Sequence, residues 1–396
     1  MKARVIVLTH GLHPPYNEGT INTVRTLIKG INNISCDIDL SVLSTVRGLY
    51  AESFDKSSVH IDSIRVNYVS TGLFKSIRRS EEEFFILNLY DNLRMANDCI
   101  RDIQKSNTQC IIHTFNLSSI IALILKLVKR QIPIVYSLLI SSPVSLFIKM
   151  ADVCICSSSH IYNKVKKSVR SCLIFPPVDT NVYRPKAKSV ARQELGIDKD
   201  ALVLTYLGPV IPGKLPPHFL DVVKKLNKVL DVKFYVWSLA TPKNLKFAIK
   251  LGERAHKLGI CSNLRLILKN LTDYEKVNVF CSSDIAVFPY ATQRLNIIEP
   301  PLSIMEAMAT GTPVISSNVA SVKDIIDNSV GKILRPCTFA NLNEWYKEIR
   351  ALLEDSSTLK RLSRNAVIRS RVFSMETIAK KVIDVYKELI SGSKRN

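Results

Sequence analysis

A chain of 396 residues with 46% hydrophobic and 22% charged residues is too long for one ordinary core and too apolar for disorder, so two globular domains are expected. Its net charge of +21 is explained by a solvated basic surface, the default, or by an acidic partner: a nucleotide diphosphate, an anionic membrane leaflet or nucleic acid. The basic clusters, such as Arg78-Arg79, Lys164/Lys166/Lys167/Arg170 and Arg361/Arg364/Arg369/Arg371, are spread over many helical patterns without interleaved aromatics or a nucleic-acid-binding module, which argues against the third.

Strand-like and helical patterns alternate along the first half, the mark of a parallel α/β sheet. A β-branched run, Arg4–His10, leads through a Pro-Pro-Tyr-Asn-Glu-Gly loop to a helix from about Thr20 to Asn32. Strands follow at Asp39–Ser44 and Ile64–Ser70, a helix at about Glu81–Gln104, a strand at Cys110–Phe115, a helix at Ser118–Arg130 and a strand at Pro133–Leu139. Ala151–Ser157 is a further buried strand, with a basic helix behind it ending near Val169.

Met1-Lys-Ala-Arg runs directly into the first strand with no apolar core and cleavage site, so no secretory signal is expected. The most apolar stretches are interrupted by Lys126, Lys129, Arg130 and Pro143, short of the roughly 20 apolar residues of a spanning helix. A soluble or peripheral protein is expected, in a reducing cytoplasm, since the nine cysteines include no Cys-x-x-Cys pair. Cys154 and Cys156 share one strand face and read as packing. His10-x-x-His13 reads as loop chemistry or packing before metal, and no metal site is expected.

The proline-rich segment Phe175–Pro185 reads as a crossing between domains, after which the pattern restarts. Strands at Leu202–Leu207, Lys233–Ser238, Leu264–Leu268 and Ile285–Pro289 alternate with helices at Pro217–Leu230, Asn244–Leu258 and Asp273–Cys281. A strand at Thr312–Ser316, a helix at Val322–Asn328 and a turn at Val330–Leu334 come next, and helices fill the remainder, the last opening at Ser374 as an N-cap candidate.

The segment Glu299-Pro-Pro-Leu-Ser-Ile-Met-Glu306-Ala-Met-Ala-Thr-Gly311-Thr-Pro-Val-Ile is the richest in chemistry. It aims a helix N-terminus, with unpaired N–H groups at Leu302 and Ser303, at open space, and sets Glu306 on the helix to accept from ligand hydroxyls. A phosphate at the helix end and a ribose beside the carboxylate suit this arrangement. An ordinary strand–helix–strand repeat with surface carboxylates is the alternative.

The segment resembles the donor-site signature of glycosyltransferase family 4, retaining enzymes that use nucleotide sugars. Ala151–Ser158, Phe175–Pro185, Leu204–Lys214 and Lys323–Gly331 resemble further family segments. The resemblance implies a glycosyltransferase B fold: two tandem Rossmann-like doubly wound α/β domains facing a central cleft, with the C-terminal helix crossing back to the first domain. Residues 1–175 would form the acceptor-binding domain, 176–373 the donor-binding domain and 374–396 the crossing helix.

It implies a hexosyltransferase-type enzyme that moves a sugar from a nucleoside diphosphate to a hydroxyl acceptor, a lipid-linked glycan being one candidate. No cofactor or metal is implied, and attack would be front-face, with the leaving phosphate helping to take the acceptor proton. An anionic membrane surface is a further candidate partner, with Phe74–Leu93 as a contact; the alternative for that stretch is a core-facing helix. Lys214 would stabilise charge growing on the leaving diphosphate; the alternative is a surface lysine.

The family's arginine just after the glycine is Pro209 here, with Arg294 a substitute or a solvated loop charge. The first signature glutamate falls on Ile298, with Glu299 one place late, and Pro300 and Pro301 replace N–H donors. Gly208 and Gly19 would let backbone approach the donor. His113 would contact the transferred sugar or help deprotonate the acceptor, or else be a structural histidine. An epimerase on the same fold and a catalytically weakened nucleotide-sugar-binding subunit are the rival readings.

Overall fold

The computed structural model describes residues 3–14, 16, 18–45, 59–69, 81–115, 132–139, 146–291, 300–319 and 321–392, with backbone only for 81–89, 146 and 147. The chain divides into two units, Met1–Pro177 with Met375–Asn396, and Val178–Ser374.

The first unit is built on a sheet of β1 (Ala3–His10), β2 (Ile38–Thr45), β3 (His60–Ile61), β4 (Ile64–Val69), β5 (Cys110–Phe115), β6 (Ile134–Leu138), β7 (Val153–Cys156) and β8 (Ser171–Leu173). Their order is β3-β4-β2-β1-β5-β6-β7-β8, and every pairing is parallel except β3 with β4. Strands covered on both faces read as continuous apolar runs, and in β1 the residues Val5, Ile6, Val7 and Leu8 are all buried. Helices α1 (Gly19–Ile34), α2 (Glu81–Lys105) and α3 (Ser159–Val165) belong to this unit. So does the terminal helix, Met375–Gly392, which packs on α1. Their contact depends on Gly30, where a Cβ would lie 2.7 Å from Met375 Cγ and 3.0 Å from Ala379 Cβ. The expected helix Ser118–Arg130 lies outside the described residues, as do Phe74–Ser80.

The second unit carries β9 (Leu202–Leu207), β10 (Val232–Ser238), β11 (Leu264–Leu268), β12 (Ile285–Phe288), β13 (Val314–Ser317) and β14 (Gly331–Leu334). Their order is β11-β10-β9-β12-β13-β14, with all pairings parallel. Its helices are α4 (Lys188–Leu195), α5 (Phe219–Leu226), α6 (Pro242–Leu258), α7 (Asp273–Cys281), α8 (Leu302–Ala309), α9 (Leu342–Glu354) and α10 (Ser356–Ser370). Local chemistry sets several boundaries. Thr272 and Glu275 form a reciprocal capping box that starts α7, and left-handed Gly259 (φ 70°) ends α6. Asp284 ties the sheet to α4 by accepting from Val203 N (2.7 Å) and from buried Arg192 (3.0 Å).

Three second-unit expectations change. The helix expected at Pro217–Leu230 is confined to Phe219–Leu226, because Asn227 turns the chain out by bonding Val223 O and both polar groups of Val232. The helix expected at Val322–Asn328 is a single 3₁₀ turn, Val322–Asp324. The turn expected at Val330–Leu334 is strand β14, paired with β13 in a register where Gly331 is required: a Cβ there would stand 2.5 Å from Val314 O.

Candidate functional site

In the second unit the strand order reverses between β9 and β12. Loops leaving two such strands diverge, and the crevice at their carboxyl ends is where open α/β sheets take ligands. The loop after β9 is stapled in place: Gly208 N donates to Trp237 O (3.0 Å), Val210 N to Ser238 Oγ (3.3 Å) and the Tyr206 hydroxyl to Pro209 O (2.8 Å). A Cβ on Gly208 would stand 3.0 Å from that hydroxyl, so a side chain here would disturb the staple. Further on, Gly213 O accepts from Ala291 N (2.9 Å), just beyond β12, so the loop bridges the two strands of the switch point. Half-buried Lys214 follows at once, in a turn closed by its own N–H to Ile211 O (2.9 Å).

Helix α8 opens after this switch point. Pro301 is its N-cap, and the Pro301 carbonyl takes the first intrahelical donors, Ile304 N (3.0 Å) and Met305 N (3.4 Å). The N–H groups of Leu302 and Ser303 precede them at the positive end of the helix, while Pro300 and Pro301 contribute none. At the other end Gly311 adopts φ 78°, Thr312 N reaches back to Ala307 O (2.9 Å), and the chain passes straight into β13.

Glu306, one turn inside α8, is only 6% exposed. Lys276 Nζ lies 3.5 Å from its Oε1 and 3.6 Å from Asp273 Oδ1. Tyr183 donates to Asp273 (2.9 Å), and burial, then the Glu306 and Asp273 carboxylates, push its phenol well above the ordinary value of 10. Tyr183, Asp273 and Lys276 were not anticipated as site residues. The one signal in the sequence is the three-residue spacing of Asp273 and Lys276 in α7, which puts them on one helix face.

The remaining site candidates fall elsewhere. Glu299 and Arg294 lie outside the described residues. Gly19 is exposed at the head of α1 in the first unit. His113 corrects an expectation: it is fully buried, with one ring nitrogen on the Tyr386 hydroxyl and the other on Ser137 Oγ (2.7 Å). Burial lowers its pKa to about 3, so the ring stays neutral, and with both nitrogens engaged it is built as a core group rather than an acid or base meeting substrate. His13 is likewise buried and bonded to Pro14 O (2.8 Å), and His10 bonds Thr45 Oγ1 (2.8 Å).

Both units have counterparts of known structure. Sucrose-phosphate synthase from Thermosynechococcus elongatus superposes with a TM-score of 0.78 at 16% identity, covering 99% of this chain and 100% of that one. HepE from Anabaena in complex with UDP gives 0.71 at 16% identity, over 98% and 100%. The fold is that of the glycosyltransferase B enzymes. Residues 187–369, just under half of the chain and all in the second unit, match the family model "Glycosyl transferases group 1". Among curated relatives, D-inositol 3-phosphate glycosyltransferase from Nocardioides sp. is 25% identical over 225 residues, 54% of this chain and 48% of the relative. The protein of the same description from Thermobispora bispora is 26% identical over 226 residues, 56% and 51%. The chain thus spans about half the length of the curated relatives it matches. The matched stretch of the family model contains Gly208, Lys214 and the whole of α8 with Glu306.

Proposed function

We propose that this protein is a retaining glycosyltransferase that transfers a sugar from a nucleoside diphosphate to a hydroxyl acceptor. The observation that carries the reading is the second unit's switch point, where the Lys214 loop is bonded to the end of β12 and the head of α8 follows with Glu306 inside it. An ammonium and a helix N-terminus at one end of a sheet are suited to a diphosphate, and a carboxylate four residues into the helix to a ribose. The UDP complex of HepE, a structural neighbour, supports the same ligand class, and the glycosyltransferase relatives support sugar transfer.

In the proposed reaction the bond from the anomeric carbon to the diphosphate oxygen breaks, and the acceptor oxygen bonds to the anomeric carbon on the same face. The acceptor proton passes to the departing phosphate. Charge grows on the leaving diphosphate, so Lys214 and the Leu302 and Ser303 N–H groups stabilise the transition state more than the ground state, with no metal needed. Gly19, at the head of α1, serves as a place of close backbone approach in the first unit. The acceptor is a glycan or a lipid-linked one at an anionic membrane surface on the cytoplasmic side; the excess of basic residues supports this location.

The test is incubation of the purified protein with a panel of labelled nucleotide sugars, with and without lipid-linked acceptors. Product that requires an acceptor is expected, and Lys214→Ala is expected to lower turnover and donor affinity. Interconversion of the donor alone, binding without turnover, or unchanged kinetics in the variant would refute the assignment.

A further inference from the structure

Glu306 is not a lone carboxylate waiting at the surface. Two groups from other elements of the second unit lie against it, Lys276 from α7 and Tyr183 from the segment ahead of α4, and both also meet Asp273. The Lys276 and Glu306 side chains are 15% and 8% exposed. A carboxylate so far withdrawn from water is kept in a single orientation when a partner both neutralises and holds it. Lys276 can do both, because its ammonium lies at ion-pair distance from Asp273 as well as from Glu306. Tyr183 stays a neutral O–H donor, bonded to Asp273 and interacting with Glu306 as well.

We propose that Lys276 is a positioning residue for Glu306, holding the carboxylate so that the ribose hydroxyls of the donor nucleotide meet an acceptor already in place, with Asp273 holding the lysine and Tyr183 holding Asp273. This inference rests on the nucleotide-sugar reading above. It adds a residue of α7 to the donor site and makes ribose recognition depend on a charge that does not touch the ligand.

The test is calorimetric binding of UDP, GDP and ADP to the wild-type chain, the tightest of the three then being compared with its 2′,3′-dideoxy counterpart in the variants. Lys276→Met is expected to weaken the ribonucleotide roughly tenfold, as loss of one well-placed charged hydrogen bond does, and to leave the dideoxynucleotide within about twofold. Lys276→Arg is expected to recover most of the loss, and Lys276→Met should cost nothing further in a Glu306→Gln background. Equal weakening of both nucleotides, or additive losses in the double variant, would overturn the proposal, since either would mark a general structural role. Tryptophan fluorescence confirms that the second unit is folded; if Lys276→Met does not fold, Lys276→Gln carries the same comparison. A wild-type chain that binds none of the three nucleotides would instead sink the donor reading, and the proposal with it.

Discussion

Acid should loosen the first unit through one buried ring. His113 is neutral in the fold, with its pKa lowered to about 3 by burial, while in an open chain it titrates near 6.5. A proton therefore binds the unfolded chain first. The stability that His113 contributes is complete above pH 6.5 and is lost progressively as pH falls towards 3. Over that whole window the loss is about 5 kcal/mol, of which about 2 kcal/mol falls between pH 6.5 and pH 5. With a urea dependence of about 2 kcal/mol per molar, the midpoint should drop by about 1 M at pH 5 from this cause.

Both tryptophans, Trp237 and Trp345, lie in the second unit, so their fluorescence is blind to the effect. Far-UV circular dichroism, or hydrogen exchange along β5 and the terminal helix, is the readout for the first unit. The comparison is wild type against His113→Gln at pH 7 and pH 5, since other groups also titrate in this range. The wild-type midpoint should fall by about 1 M more than that of the variant. Equal falls in the two proteins would show that the ring is not held neutral by burial.

Three further outcomes are expected. Gly331→Ala should destabilise the second unit by about 1–3 kcal/mol, read by tryptophan fluorescence in urea, because its Cβ would press on a backbone oxygen that has no rotamer to yield. Arg192→Met should cost about 3 kcal/mol in the same assay: it strips Ser282 O, Lys199 O and Asp284 of a buried donor, although Lys188 still reaches Asp284 at 2.6 Å. Glu306→Gln, nearly isosteric, should weaken nucleoside diphosphate binding at least tenfold in calorimetry, in keeping with about 1.5–3 kcal/mol for hydrogen bonds to a charged group.

What was legible in the sequence was whatever period and punctuation encode. Two α/β sheets follow from alternating strand and helix patterns, and the boundaries of α7 and β11 match to the residue because a capping box and a compact apolar run mark them. The misses share a cause: each depends on a partner outside its own element. Asn227 stops α5 by bonding the next strand, and β14 exists because β13 lies beside it. His113 looked like a strand-end histidine open to ligand, yet its partner Tyr386 is 273 residues away on the terminal helix. Lys276 falls within the expected helix Asp273–Cys281 with nothing to mark it, and only the fold sets it against Glu306.

The departures from the family pattern now divide by place. Pro209 and the Pro300-Pro301 pair alter loops that would meet the diphosphate and the sugar. Glu306, by contrast, sits in a packed network fixed from three elements. Pro209 also leaves its carbonyl to the Tyr206 hydroxyl, so the loop keeps its shape although it has no arginine to give. At the head of α8 the two prolines remove donors but fix the backbone ahead of Leu302, which lowers the entropy lost when an anion orders that end. If the proposed function holds, a site built this way would grip the nucleotide through rigid groups and read the sugar with fewer N–H donors, so its choice of sugar should depend on side chains more than on backbone.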